Sequence, residues 1–265
     1  MNGSAGTARI ASSNVWAVSA LLVLVACGDE PKAGATSASA QTATATTPAP
    51  TASAAPAGSA KFPQVLVDDQ GPVVHGQRSF PDKEGGLAKL KKDVAELPID
   101  GKEVPITIEK KAKLKDVVAL VDALGEKGAP TVRITADSRG DLPKEIVVVP
   151  QAKMVGTPPP CSVVAIITKT FESDVWTIQG TTAKKGPKGF AGPDMTLAGE
   201  TLQKELKKCD SKYAFFSADD TLTWDYAHMI GGAIRAADAD KKIEHLVLLS
   251  EVPVPGRAVK EVLPK

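Results

Sequence analysis

Aromatic residues make up only 4% of the 265-residue chain, which excludes a surface built from many stacking platforms. Three cysteines and three histidines are too few and too scattered for a multi-metal protein. Neither charge is in excess: Lys+Arg is 32 against Asp+Glu 31, a formal charge of +1. Without a basic excess, counterion release cannot drive general polyanion binding, and no nucleic-acid partner is expected. No apolar run approaches the roughly 20 residues that span a bilayer. What is present is an ordinary globular balance, 43% hydrophobic and 24% charged, in a length that allows one or two domains.

Val15 to Val25 (VWAVSALLVLV) form an apolar core behind a polar leader carrying Arg9. About eleven apolar positions suit a secretory signal and fall short of a membrane span. The run closes in Leu24-Val25-Ala26-Cys27-Gly28, which resembles the lipobox of bacterial lipoproteins. That resemblance implies removal of residues 1–26 and lipidation of Cys27, placing the chain in the cell envelope, facing the periplasm. Cleavage would remove Arg9 and no acid, leaving 31 bases against 31 acids. An ordinary signal with an adventitious cysteine is the other reading.

Residues 27–60 follow as an Ala/Ser/Thr/Pro tract. Such side chains cannot bury enough apolar surface to offset the entropy of ordering, so a disordered linker is expected. At about 3.1 Å per residue it would stretch to on the order of 100 Å, with a coil dimension of roughly 30 Å. Its role would be reach from the membrane.

From Phe62 the pattern changes to short apolar runs alternating with helical periodicity. The first stretch predicts strands at Val65–Val67 and Pro72–His75, a helix over Gly86–Leu97 and a strand at Val104–Glu109. A helix over Leu114–Gly125 and a strand at Thr131–Thr135 follow. The second stretch predicts strands at Val163–Thr168 and Val175–Gln179, a helix over Thr201–Lys208 and a strand at Tyr213–Ser217. It ends with a helix over Thr223–Ala236 and a strand at Glu244–Leu249. The order β-β-α-β-α-β thus occurs twice, and Glu109–Leu124 overlays Asp219–Ile234 without a gap. The expected class is α/β, a two-layer α+β sandwich of two tandem units, at 61–155 and 160–265, each with two helices on one sheet face. Glu145–Val149 and Val254–Lys265 read as added edge strands.

Tyr213–Glu251 (YAFFSADDTLTWDYAHMIGGAIRAADADKKIEHLVLLSE) resembles the periplasmic domain of the ExbD/TolR biopolymer-transport family. The shared features are a strand ending in Ala218-Asp219, a short turn, Trp224 at the helix start, an amphipathic helix, and the apolar strand Leu246–Leu249. Ser173–Ile178 and Leu202–Leu206 sit where that family has its hairpin and first helix. The first unit keeps the pattern in Lys115–Leu124 and Val132–Thr135, with Glu109 and Leu114 replacing the acid and the aromatic. The resemblance covers about Phe62–Pro253. It implies dimer-forming periplasmic domains that contact peptidoglycan or Tol/Ton-type envelope proteins. The family's transmembrane helix and its proton-coupling acid have no counterpart in the motifs read here, so motor work is not carried over. The resulting expectation is a non-enzymatic, lipid-anchored envelope scaffold without a cofactor, two tandem units imitating a dimer internally. A ring-forming assembly module of a transport or secretion machine and a cell-wall-acting enzyme are the alternatives.

Few residues offer chemistry. Cys161 and Cys209 are a candidate disulfide in an exported chain, with buried free thiols as the other reading. His75, His228 and His245 show no metal-ligand spacing and read as ordinary surface or core histidines. Asp68-Asp69 and Asp219-Asp220 read as turn and cap residues, since side chains of adjacent residues diverge. Lys184–Pro193 (KKGPKGFAGP) lacks phosphate-loop spacing and reads as a solvated loop or a partner-touching one. Arg139-Gly140-Asp141 reads as a turn. Phe171, Trp176, Phe190, Tyr213, Phe215, Phe216, Trp224 and Tyr226 all fall in the second unit, against Phe62 and Phe80 in the first. A partner surface is therefore expected on the second unit, with Trp224, Tyr226 and Phe190 as its candidates.

Overall fold

The computed structural model describes residues 62–137, 142–153, 159–178 and 182–256. The expected signal, Cys27, the 27–60 linker, Arg139-Gly140-Asp141 and residues 257–265 lie outside them. No helix among the described residues is long and apolar enough to cross a membrane.

The described strands before residue 155 are β1 (Val65–Asp68), β2 (Gly71–Val74), β3 (Gln77–Arg78), β4 (Val104–Ile108), β5 (Val132–Ala136) and β6 (Glu145–Pro150). Helices α1 (Gly86–Ala95) and α2 (Leu114–Lys127) lie between them in sequence. After residue 160 come β7 (Val163–Ile167), β8 (Ser173–Thr177), β9 (Lys184–Gly186), β10 (Lys188–Gly189) and β11 (Gly192–Pro193). Helix α3 (Met195–Lys208), β12 (Tyr213–Ala218), helix α4 (Trp224–Ala237) and β13 (His245–Leu248) complete the described elements.

Eleven of these strands form one mixed sheet in the order β3-β2-β1-β4-β5-β6-β13-β12-β7-β8-β9. On either side of β6 the same sequence of strand types runs outward. β5 pairs with β6 antiparallel and β13 pairs with β6 parallel. Glu145–Val149 is therefore not an edge strand. It lies mid-sheet between β5 and β13, with Ile146 and Val148 in the helix-side core and Val149 in the cluster on the opposite face. The boundary expected between 155 and 160 separates two element sets that share this sheet.

Period-two alternation sets the faces. In β4, Val104, Ile106 and Ile108 are buried while Pro105 and Thr107 are exposed. One core gathers these residues with Leu90 and Val94 of α1, Leu120 and Leu124 of α2, Leu202 of α3, and Ile230 and Ile234 of α4. The four helices thus cover one sheet face, the two-layer arrangement of an α+β fold. In β7 all five residues are buried, because Val164 and Ile166 join Trp176, Phe215, Val247 and Leu249 in a second apolar cluster. Phe215 and Phe216 are both fully buried, in different clusters.

Local signals fix the ends. Gly128, at φ 116°, stops α2 while the Ala129 amide donates to the Leu124 carbonyl at 2.9 Å. Asp194 caps α3 by accepting from the Thr196 and Leu197 amides at 3.1 and 3.2 Å. The turn acids do what their positions suggest. Asp68 accepts from the Gln70 amide at 2.8 Å, and Asp219 from the Thr221 amide at 3.0 Å.

The two loops that lead into α2 and α4 meet. Lys113 and Thr223 form an isolated antiparallel bridge. Leu114 N–H donates to the Leu222 carbonyl at 3.3 Å, and Trp224 N–H donates to the Ala112 carbonyl at 2.8 Å.

Candidate binding site

The carboxyl ends of β7 and β12 lead into the β7–β8 turn and the first turn of α4. Ends of this kind are where α/β sheets commonly place ligands. Phe171 sits in the β7–β8 turn at φ 60°, a left-handed backbone unusual for an aromatic residue. The turn is held by Phe171 N–H donating to the Thr168 carbonyl and Thr168 N–H donating to the Glu172 carbonyl, both at 2.9 Å. It turns the Phe171 ring towards Tyr226 in the first turn of α4, with centroids 5.1 Å apart and planes tilted by 48°.

The small hairpin β10–β11 folds over this pair. Lys188 places its ammonium 5.2 Å from the centre of the Phe171 ring, a cation–π contact. Among the described residues that ammonium has no carboxylate partner. Gly192, at φ 145°, brings the hairpin backbone so close that a Cβ there would lie 3.7 Å from Tyr226 Cε1. Phe190, at the hairpin tip, is fully exposed at 108%. Together Phe171, Lys188, Phe190, Ala191, Gly192 and Tyr226 line a hollow of about 180 Å³.

The Lys184–Pro193 stretch is thus ordered for the most part, not a plain solvated loop. Lys184–Gly186 adds β9 to the sheet edge, and the remainder closes into the hairpin. A carboxylate fastens its base: Glu205 of α3 is buried and ion-paired to Lys184, and to Lys208 at 3.1 Å. Those ammonium groups hold the Glu205 carboxyl below its ordinary pKa against the opposing effect of burial.

Of the three residues named from sequence, the hollow brings together Phe190 and Tyr226 and omits Trp224. Trp224 is 0% exposed and belongs to the helix-side core, its ring 5.9 Å from that of His228. As the first residue of α4 it points inward, so it cannot meet a partner, and the expectation of exposure is corrected. Phe171 and Lys188 were missed as site residues. A lone aromatic in a short polar turn between two apolar strands, and the third Lys of Lys184–Lys188, were the available signals.

Cys161 and Cys209 are unbridged in the structure. Burial, then the Cys161 neighbour, pushes the Cys209 thiol up to about 12. His228 is buried, and that burial lowers its pKa against the Asp225 carboxylate, which raises it. Among the described residues no group of three or more His, Cys, Asp or Glu is placed to hold a metal ion.

A larger hollow of about 300 Å³ lies elsewhere, over Leu87, Val118 and Ala119, with Asp122, Asp220 and Ser250 on its rim. Its charges are largely answered: Lys91 pairs with Glu126 at 2.8 Å, and Ser250 Oγ donates to Asp122 at 2.9 Å. The aromatic hollow offers ring faces and a cation without a carboxylate partner among the described residues, and its lining holds no carboxylate, imidazole or thiol. Its chemistry is that of binding: stacking on ring faces and attraction of an anionic group to Lys188. No family model, curated protein or solved structure matches the chain.

Proposed function

We propose that this protein is a lipid-anchored binding and scaffold protein of the cell envelope, facing the periplasm. In this reading Cys27 carries the lipid, residues 28–60 supply reach, and two ExbD/TolR-like halves make an internal pseudo-dimer. The paired bonds across Lys113 and Thr223 support that arrangement. Leu114 and Trp224 occupy equivalent places in the two halves, as do Ala112 and Leu222, so each half gives the other the same bond. The strand order, running outward alike from β6, supports it as well.

The observation that carries the binding reading is Phe190, fully exposed beside the Phe171–Tyr226 pair and the Lys188 cation. A large ring held in water at a hairpin tip gains from being covered, and the hollow beneath it has room for a sugar-sized group. The proposed partner is peptidoglycan, whose pyranose faces suit aromatic rings and whose carboxylates suit Lys188. A Tol/Ton-type envelope protein is the second partner class. Assembly into rings through strand addition is disfavoured by the sheet edges, since β3 has 2 residues and β9 has 3 with two lysines.

The test is co-sedimentation of the compact unit, residues 57–265, with purified peptidoglycan sacculi across a salt series. Saturable pelleting that Phe190→Ala abolishes is expected. Absence of pelleting sinks wall binding, and crosslinking in intact envelopes would then identify a protein partner.

A further inference from the structure

Cys161 and Cys209 are brought beside one another although 48 positions separate them in the sequence, because their neighbours Ser162 and Ser211 are bonded to each other. Cys161 lies just before β7 and Cys209 caps the C-terminal end of α3. Their neighbours fasten the same two segments together. Ser162 Oγ and Ser211 Oγ share a buried hydrogen bond at 2.5 Å, and Ser211 Oγ also accepts from the Tyr213 amide at 3.1 Å. Ile178 N–H donates to the Ser162 carbonyl at 2.9 Å, which ties this corner to the end of β8. The cysteines are thus held side by side by bonds that do not involve sulfur. Cys209 is 7% exposed, whereas Cys161 is half-buried and reachable.

We propose that Cys161 and Cys209 close into an intramolecular disulfide that ties off the segment bearing most of the aromatic hollow. Residues 161–209 contain Phe171, Lys188 and Phe190, while Tyr226 lies outside on α4. The bridge therefore holds five of the six lining residues in one closed loop against the sixth, Tyr226. The reaction is thiol–disulfide exchange with a small-molecule or protein disulfide as oxidant. The reachable Cys161 sulfur, as thiolate, attacks the oxidant disulfide, forms a mixed disulfide and expels one thiol. Cys209 then gives up its proton and attacks the Cys161 sulfur, expelling the second thiol. Two cysteine thiols are oxidised and the oxidant's sulfur–sulfur bond is reduced, so electrons and protons balance. Burial keeps Cys209 protonated, which makes the second step the slow one and makes it faster as pH rises.

The supply of oxidant in the cell rests on the envelope location proposed above; the pairing itself does not. The full chain is incubated in a glutathione redox buffer, oxidised against reduced, and read by intact mass and non-reducing peptide mapping. A mass lower by two hydrogens, with a Cys161–Cys209 linked peptide, is the expected result. The unfolding midpoint should rise on oxidation, and hydrogen exchange in residues 182–193 should slow. Both changes should be reversed by dithiothreitol and absent in Cys161→Ser. Ser162→Ala, which removes the fastening bond but leaves both thiols, should slow closure. Thiols that stay free, or that form only intermolecular or glutathione adducts, would overturn the proposal. Alkylation of the same thiols in intact cells scores the envelope location separately, because free thiols there alongside bridging in buffer would count against export alone.

Discussion

Lys113 and Thr223 face each other as a single antiparallel bridge, flanked by the Leu114-to-Leu222 and Trp224-to-Ala112 hydrogen bonds. Each loop precedes a helix whose first residue is fully buried, Leu114 in α2 and Trp224 in α4. The first amides of a helix have no partner within it and must be satisfied from outside. Here each helix start is satisfied by the carbonyl of the other loop, so neither can open without exposing the other. The Leu114 and Trp224 amides should therefore exchange with solvent in the same opening event, with closely matched protection. Residue-resolved hydrogen exchange checks this; protection differing by orders of magnitude would show that the two loops open independently.

Trp224 and Phe190 separate packing from binding. Trp224→Ala should destabilise the fold by about 3–5 kcal/mol, the usual consequence of removing a buried Trp. Phe190→Ala should change stability by less than about 0.5 kcal/mol, since the ring packs against nothing that it leaves unfilled. Chemical denaturation of both variants decides the matter. A strongly destabilised Phe190→Ala would mean the hairpin tip is structural.

The contrast shows what was legible in the sequence. Most strand and helix positions followed from periodicity because alternation in β4 and the Leu114–Leu124 stripe report directly which face meets the core; the helix expected over Thr201–Lys208 is an exception, beginning at Met195 behind its Asp194 cap. Residue contacts across the sheet did not follow. Nothing local to Glu145–Pro150 says that it will be flanked by β5 and β13, because pairing is settled by elements about 10 and 100 residues away, at the price of chain entropy that no local window contains. Trp224 reads as a candidate partner residue from sequence only because aromatics concentrate in the second unit, a signal that carries no direction for the side chain. Its inward direction depends on α4 starting where the two loops meet. Phe171 was invisible as a site residue because its left-handed backbone, which aims the ring at Tyr226, leaves no signature in composition.

Two buried titratable groups give stability opposite pH slopes. Burial lowers His228 below its ordinary 6.5, so as pH falls through about 6.5 the unfolded chain takes up a proton that the folded chain refuses. Stability supplied by the neutral ring is present above 6.5 and declines as pH falls towards the folded value. Asp116 is 2% exposed, its Oδ1 has no hydrogen-bond partner among the described residues, and burial raises its pKa above 3.8. The Lys113 charge opposes that rise and Asp82 adds to it. Its stabilising, protonated state is fully present below 3.8 and is lost as pH rises through the folded value. Asp116→Asn should therefore stabilise at pH 7 by about 1–3 kcal/mol, with the gain vanishing in acid below both values. His228→Gln should flatten the decline below 6.5. Denaturant midpoints as a function of pH test both; an Asp116→Asn that destabilises at neutral pH would mean its carboxylate has a favourable role.

Two helical glycines should respond in opposite directions to the same added methyl group. Gly199 lies inside α3 with nothing within 4 Å of the position a Cβ would take. Gly199→Ala should stabilise by about 0.5–1 kcal/mol, because alanine removes backbone freedom from the unfolded chain and fits the helix. Gly125 lies inside α2, where a Cβ would stand 2.5 Å from Pro150 Cβ and 3.2 Å from its Cγ. Pro150 cannot retreat freely, since it ends β6 and is in register with Leu248 of β13. The gain of about 1 kcal/mol in helix propensity is then set against about 1–3 kcal/mol of overpacking. Gly125→Ala should destabilise, and its effect should extend to β13, seen as faster hydrogen exchange at Leu248 and Leu249. If it stabilised instead, α2 would have room to lift from β6, and the close seating of α2 across the middle of the sheet would have to be abandoned.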